Sequence, residues 1–316
     1  MRVEGRGTGA TVERWRLKQL WMRPFTWSKI GEDTYEWLTA AALGTQAGMS
    51  RKWCYWFREH LVLSRRFARI SVSSARIWLF QPGWSLAPVV MSRMATGRGP
   101  LITEDRGRLA RRYVRSALTQ AAEAAPAVFR SAGGGEADPG LLERLRDRGS
   151  PQEILRICEA EYRVCDIAGL EDLPSASADL CISMGRLEHY AEDDLLRLLS
   201  EQRRILRPGG VASHIVDHRD HFLHYDRGIH CFHHLTYSDE DWATIARGRK
   251  LFRNRLLESD YTELFERSGF RVLGCVHRLH QDDASGVDPQ TLWGRYREMA
   301  AGDLTAAVSH FVVRRE

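Results

Sequence analysis

Hydrophobic and polar positions follow two different periods along the chain. Short apolar runs bounded by glycine, proline or polar residues predict strands; these runs are ARIWLF, GPLITED, YRVCDI, ADLCISM, VASHIVD, FRVLGCVHRL and AAVSHFVVRR. Between them, apolar residues three and four positions apart predict helices, among them LAPVVMSRMATG, RGRLARRYVRSALTQAAEAA and DDLLRLLSEQRRIL. The last of these helices is expected to stop at the sequence RPGG. The alternation of strands and helices predicts parallel βαβ units.

Residues 1–70 have a different character. They contain six of the ten tryptophans, namely Trp15, Trp21, Trp27, Trp37, Trp53 and Trp56. The stretch WCYWFREHLVLSRRFARI has helical spacing and predicts one or two helices. We therefore interpret 1–70 as a helical N-terminal extension or cap and 71–316 as the main domain. The extension would pack on that domain, close a pocket over a substrate or form the contact face of a homodimer.

Composition excludes several classes of protein. The chain is 43% apolar and 28% charged, which is typical of a soluble globular protein. Its six cysteines form no CxxC pair, and no apolar run has the length of a signal peptide core or a membrane span. A cytoplasmic protein with reduced thiols is the expectation. Residues 1–120 hold 21 Lys+Arg against 8 Asp+Glu, but only four of the 46 basic residues are Lys, which indicates a coding bias toward arginine.

One segment resembles a known family. In LPSASADLCISMGRLEHYAEDDLLRLLSEQRRILRPGG, a strand is followed by the triplet Leu187-Glu188-His189, then by a helix and by Arg207-Pro208-Gly209-Gly210. This order and spacing resemble class I S-adenosylmethionine-dependent methyltransferases of Rossmann-like fold, over roughly residues 70–316. The resemblance implies an α/β fold with a doubly wound, seven-stranded mixed sheet that ends in an antiparallel pair. It also implies S-adenosylmethionine as the cofactor.

In a doubly wound sheet, ligands bind at the carboxyl ends of the strands. The first strand leads into a glycine-rich turn that is degenerate here, because Leu79 and Gln81 stand where the family has an acid and a glycine. A side chain disfavours positive φ, so we expect a turn of different shape at Gln81. By the resemblance, Glu104 or its neighbour Asp105 would hold the ribose. The expected cofactor-binding residues are Gln81, Gly83, Glu104, Asp166, Ile167 and Met184.

Histidines are concentrated after the fifth predicted strand, where residues 214–234 contain seven of the twelve. We expect them to lie over the open end of the sheet. Imidazoles with a pKa near neutrality can remove a proton from an acceptor hydroxyl during methyl transfer, so His221 or His189 is the candidate general base, with Asp217 or Asp220 orienting it. A metal held by Asp217, Asp220, His221 and His224 is the alternative. Their spacing matches no standard metal motif, so no metal is assigned.

The leading hypothesis for function is O-methylation of a small molecule, with a saccharide or natural product as acceptor and a role in biosynthesis. The alternative is a catalytically inactive protein of the same fold that acts as a partner or scaffold, which the changes at Leu79 and Gln81 favour. Methylation of nucleic-acid bases at amino groups is disfavoured. Those enzymes carry Asn/Asp-Pro-Pro-aromatic after the fourth strand, where this chain has Ser183-Met184-Gly185-Arg186.

Overall fold

A computed structural model gives the structure of the chain. It describes residues 14–26, 46–83, 85–107, 111–133, 139–224, 226–248, 252–278, 287–299 and 302–316, together with residues 31, 34 and 109. Two of the tryptophans singled out by the sequence, Trp27 and Trp37, lie outside these residues, and so does the side chain of His224.

Seven strands form one sheet in the order β3-β2-β1-β4-β5-β7-β6. The strands are β1 (Ile77–Phe80), β2 (Leu101–Glu104), β3 (Glu161–Val164), β4 (Ala178–Met184), β5 (Leu206–Asp217), β6 (Phe270–Arg278) and β7 (Val308–Arg315). The first five pair in parallel, while β7 is antiparallel to both β5 and β6. The chain leaves β1 in one direction toward β3 and returns to the other side at β4, so the topological switch point lies between β1 and β4. The predicted seven-stranded mixed sheet is thereby confirmed.

Two of the described helices precede β1, and the others lie along the connections between the strands. Those described are α1 (Arg14–Thr26), α2 (Gln46–Ala68), α3 (Ala87–Thr96), α4 (Val114–Ala132), α5 (Pro139–Leu145), α6 (Pro151–Ile157), α7 (Glu192–Ile205), α8 (Asp239–Ile245) and α9 (Glu258–Arg267). Helix α3 ends where Gly97 adopts a φ of 68°, which a side chain would resist. None of the described helices is long and apolar enough to cross a bilayer.

The sheet is covered on both faces because successive residues of its central strands point to opposite sides. Val211 and Ile215 of β5 join a core with α2, α3 and α4, whereas Ala212 and Val216 join a second core with α7 and α9. Helix α7 stops close to RPGG, as expected, but the strand that follows begins earlier than the predicted VASHIVD. The helix ends at Ile205, β5 begins at the next residue, and an irregularity in its pairing with β4 accommodates the two glycines.

Helix α2 falls within the predicted N-terminal extension, yet it packs as a core helix. Its residues Trp53, Phe57 and Leu61 are fully buried and share one core with the sheet. Helix α1 packs elsewhere, on the segment that follows β5. The boundary between an extension at 1–70 and a domain at 71–316 stays a prediction, and α2 is joined to the domain by its buried face.

Candidate functional site

A cavity of about 1020 Å³ opens at the carboxyl ends of β1 to β4, next to the switch point. This volume is suited to a nucleoside-sized ligand. Its wall includes Gln81, Asp105, Asp166, Ile167, Arg186 and His189. Of the predicted cofactor residues, Gln81, Asp166 and Ile167 therefore lie at the cavity, whereas Gly83, Glu104 and Met184 do not belong to its wall.

The turn after β1 keeps a left-handed backbone without a glycine at its first position. Gln81 has a φ of 49°, so it adopts the left-handed conformation that its side chain is expected to disfavour. Three hydrogen bonds hold it there. Its backbone N–H donates to the carbonyl oxygen of Thr103 at 2.8 Å, and its carbonyl accepts from Arg186 Nε at 2.7 Å. Its side-chain Nε2 donates to Tyr190 Oη at 2.6 Å. These bonds offset the local strain.

Gly83 occupies a position that only glycine suits. Its φ is 78°, and a Cβ built there would lie 2.9 Å from a terminal nitrogen of Arg186. Its backbone N–H donates to the carboxylate of Glu104, the last residue of β2. Glu104 is fully buried, so in this structure it fastens the turn to β2, and its neighbour Asp105 presents a carboxylate at the cavity wall. The role predicted for Glu104 at the ribose stays a prediction.

The third and fourth strands contribute unequally to the cavity. Asp166 and Ile167 follow β3 and line it, and the Asp166 carboxylate accepts from the backbone N–H of Gly169 at 3.1 Å. Met184, the last residue of β4, is buried in the core shared with α2. The next wall residue on this strand is Arg186, which the sequence did not mark as a ligand.

Two of the three predicted catalytic residues are joined by an arginine. Arg253 donates through one terminal nitrogen to Nδ1 of His189 and through the other to Nδ1 of His221, whose ring centroids are 5.8 Å apart. Guanidinium only donates, so both Nδ1 atoms accept, and each neutral ring carries its proton on Nε2. Burial, together with the charge of Arg253, holds the pKa of His189 well below its ordinary value.

Asp217, the third of these residues, is held by its own neighbour. Arg219 donates to it from Nε and Nη2, each at 2.9 Å, and Nε2 of His221 lies 3.7 Å from Asp217 Oδ2. Burial alone would raise the pKa of Asp217. The hydrogen bonds and the positive charge of Arg219 outweigh burial, so the pKa lies below its usual range and the carboxylate stays ionised.

A buried carboxyl group lies behind this pair of histidines. Burial raises the pKa of Glu188 to about 7, against the opposing effect of Arg253. Asn254 fixes the same turn, since its backbone N–H donates to the carbonyl of Glu188 at 2.9 Å and its side chain donates to the carbonyls of Leu187 and Tyr190. Sequence reasoning missed Arg253 and Asn254. They belong to no motif, and they reach the site from more than sixty residues further along the chain.

Most of the other histidines in the histidine-rich segment point into the protein rather than over the open end of the sheet. His214 lies inside β5, bonded to Ser183 Oγ at 2.7 Å and stacked on Phe265. His218 bridges the carbonyl of Leu256 and the hydroxyl of Ser309, each at 3.0 Å. Burial lowers the pKa of both rings, which stay neutral and structural. Among the described side chains, no three His, Cys, Asp or Glu groups are arranged to hold a metal ion.

The segment after β5 is covered by the N-terminal helix. Trp15 of α1 packs against the rings of Phe222 and Tyr237, with centroids 5.3 and 5.9 Å apart. Gln19 donates to the carbonyl of Ile245 at 2.9 Å. Helix α1 and this segment thus form a small apolar cluster of their own, beside the histidine pair.

Comparison with known proteins agrees with this architecture. Residues 118–213, from α4 into β5, match the family model described as a methyltransferase domain. No curated protein matches the chain. A solved S-adenosylmethionine-dependent methyltransferase from Mesorhizobium loti is 16% identical, with a TM-score of 0.42 over 80% of this chain and 96% of that chain.

Two further solved structures are similar at the same level. Geranyl diphosphate methyltransferase in complex with S-adenosylmethionine is 13% identical, with a TM-score of 0.44 over 84% of this chain and 85% of that chain. The [4+2]-cyclase SpnF is 13% identical, with a TM-score of 0.42 over 82% of this chain and 80% of that chain.

The sheet order with its antiparallel β7 is that of the class I methyltransferase fold, and the matched segment lies within this sheet and its helices. Residues 118–213 match a methyltransferase domain model, and S-adenosylmethionine is the cofactor that this match implies. The cavity wall fits such a molecule. Asp105 and Asp166 offer carboxylates to hydroxyl and amino groups, and Ile167 offers apolar surface to a ring. When bound, the cofactor supplies an electrophilic methyl group on a sulfonium centre.

Proposed function

We propose that the protein transfers a methyl group to a hydroxyl oxygen of a small molecule, such as a saccharide or natural product, in a cytoplasmic biosynthetic reaction. The observation that carries this proposal is the histidine pair beside the cavity. His189 lies at the cavity wall, and Arg253 links it to His221. An acceptor hydroxyl must lose its proton as its oxygen attacks, so the reaction needs a base near the cavity. An acceptor that is already ionised would need none.

Asp217 and His221 have the arrangement of an oriented base. The ionised carboxylate faces Nε2–H of the imidazole, and this leaves Nδ1 as the proton acceptor. In the structure Nδ1 accepts from Arg253, so the guanidinium stands where an acceptor hydroxyl would donate its proton. Binding of the acceptor would displace the guanidinium from His221, and the imidazole would then take the hydroxyl proton as the oxygen attacks the methyl group.

The first experiment measures binding of S-adenosylhomocysteine, the demethylated product, by isothermal titration calorimetry. We expect a dissociation constant in the micromolar range, because the cavity offers both polar and apolar contacts to the nucleoside. Absence of binding to the folded protein would refute the proposed activity. It would favour instead the inactive partner protein that the changes at Leu79 and Gln81 suggested.

The second experiment follows transfer of a labelled methyl group to a panel containing a phenol, a free sugar and a hydroxy acid. With any acceptor that reacts, His221→Ala should lower the rate by roughly 10²–10⁴-fold, the range for a lost general base, with affinity for S-adenosylhomocysteine unchanged. His277→Ala is the control, since His277 is half exposed and lies outside the cavity. Equal rates for the two variants would remove His221 from the mechanism.

A homodimer through the N-terminal helices is proposed from the sequence alone. Trp15 and Trp53 are buried within the chain, while Trp21 on α1 is half exposed. Analytical ultracentrifugation of the wild type and of Trp21→Ala would test this contact. A monomeric wild type at micromolar concentration would contradict it.

A further inference from the structure

The side chain of Arg186 lies across the degenerate turn that follows β1. Its Nε donates to the carbonyl of Gln81 at 2.7 Å. One of its terminal nitrogens lies so close to Gly83 that a Cβ on that residue would be only 2.9 Å from it. Arg186 is also part of the cavity wall. The guanidinium is thus held at a fixed place between the cavity and the glycine turn.

The turn itself has lost groups that could bind a ligand. Leu79, at the position of the family's acid, is fully buried and apolar. The backbone N–H of Gly83 is directed at the Glu104 carboxylate. Among the described groups of the cavity wall that contact this turn are the amide of Gln81, which is bonded to Tyr190, and the guanidinium of Arg186. The positive charge of Arg186 therefore lies against a turn in which Leu79 and Gln81 replace the family's acid and glycine.

Guanidinium binds carboxylates in a planar, two-pronged geometry and retains its charge when buried. The methionine end of S-adenosylmethionine carries an α-carboxylate. We propose that Arg186 binds this α-carboxylate and so anchors the end of the cofactor that the degenerate turn no longer holds. The proposal rests on the proposed use of S-adenosylmethionine, and it makes Arg186 the residue that selects ligands with an intact amino-acid end.

Two ligands distinguish the contribution of the carboxylate contact to affinity from that of the nucleoside. S-adenosylhomocysteine has the amino-acid end, and 5′-methylthioadenosine lacks it. Calorimetry should show that Arg186→Met weakens binding of S-adenosylhomocysteine about 10- to 100-fold, the range for loss of a hydrogen bond to a charged group, and leaves 5′-methylthioadenosine within twofold of the wild type. Arg186→Lys, which keeps the charge without the planar fork, should give an intermediate loss.

The control is Arg271→Met, which removes a positive charge from β6, outside the cavity wall. It should change neither affinity by more than twofold, and thermal melting verifies that each variant is folded. The proposal is overturned if Arg186→Met binds S-adenosylhomocysteine as tightly as the wild type. Tighter binding would overturn it as well, because Arg186 would then be an obstruction that the ligand must displace.

Failure of the proposed function gives a different result. If the wild type binds neither ligand, both the methyl transfer and the role of Arg186 are refuted. If the wild type binds 5′-methylthioadenosine as tightly as S-adenosylhomocysteine, only the carboxylate contact is refuted, and the nucleoside site stands.

Discussion

Gln81 shows how a single residue can depart from a family pattern and leave the backbone unchanged. A left-handed conformation costs a residue with a side chain about 1–2 kcal/mol. At Gln81 this cost is offset by hydrogen bonds that it donates to strand β2 and to Tyr190 and by one that it accepts from Arg186. The amide side chain that replaces glycine thus ties the turn after β1 to the turn after β4, on the two sides of the switch point.

Glu188 makes stability depend on pH near neutrality. Its pKa is about 7 in the folded protein, against an ordinary 4.5, because burial penalises the charged form. Between these two values the folded state binds more protons than the unfolded state, so stability should fall as pH rises through this window. The loss is on the order of 3 kcal/mol at pH 8, from 1.36 kcal/mol per pKa unit.

The variant Glu188→Gln keeps the shape of this side chain and removes the titrating group. Urea unfolding at pH 5 and pH 8 should show that it lacks the decrease in stability seen in the wild type. Glu263→Gln is the control, because that carboxylate is 70% exposed and paired only with the exposed Arg267. The same pH dependence in wild type and Glu188→Gln would show that another group titrates.

Among the helices, α2 differs most from the sequence prediction, because it is expected to belong to a terminal cap and instead packs in the core. Leu61 is fully buried in the core shared with the sheet, and the next residue, Val62, is 36% exposed. Leu61→Ala should lower the free energy of unfolding by about 2–5 kcal/mol through lost burial and the cavity left behind. Val62→Ala is the matched control, and we expect it to change stability by less than about 1 kcal/mol.

Chemical denaturation of both variants measures this difference. A cooperative loss of stability in Leu61→Ala would show that α2 unfolds together with the sheet. If the two variants were equally stable, or if Leu61→Ala melted in two steps, α2 would be a separate cap, as the boundary at residue 70 predicts.

The elements themselves were largely predictable from the sequence, because the periods of burial in strands and helices are local. β1 and β4 stood out as short apolar runs, and α7 as a helix with one apolar face. The contacts of the site were less predictable. Arg253 reaches His189 across 64 residues, and the sequence around it has no pattern that would reveal this contact.

The same limit applies to the histidine-rich segment. Composition predicted a group of imidazoles at the cavity, but each ring's direction depends on the register of β5 and on its partners. His214 faces Phe265 in one core, whereas Ser213, one residue earlier, bonds His60 of α2 on the other face. Side chains on a strand alternate between faces, so neighbours in sequence have opposite surroundings.

The whole molecule contains two kinds of core. Among the described residues, two large apolar clusters cover the faces of the sheet, and one of two smaller clusters joins α1 to the segment after β5 through Trp15, Phe222 and Trp242. Small clusters with few buried contacts open locally at lower free energy than central strands do. The region beside the histidine pair should therefore open without unfolding of the sheet.

Hydrogen exchange tests this independence. Trp15→Ala should speed exchange in α1 and α8 at least tenfold, and the amides of β4 and β5 should exchange as in the wild type. Trp21→Ala is the control on the same helix, since its ring is half exposed. Faster exchange throughout the sheet in Trp15→Ala would mean that the small cluster and the sheet open as one unit.

The antiparallel strand β7 also determines when the molecule can be completed during its synthesis. It lies between β5 and β6, although both are translated before it. Until residues 308–315 leave the ribosome, the nascent chain exposes two unpaired strand edges, which are prone to pair with other chains. The five parallel strands can assemble on the ribosome, but the sheet closes only after its last strand has emerged. A slow step of this kind would make the nascent chain a client for chaperones that shield strand edges.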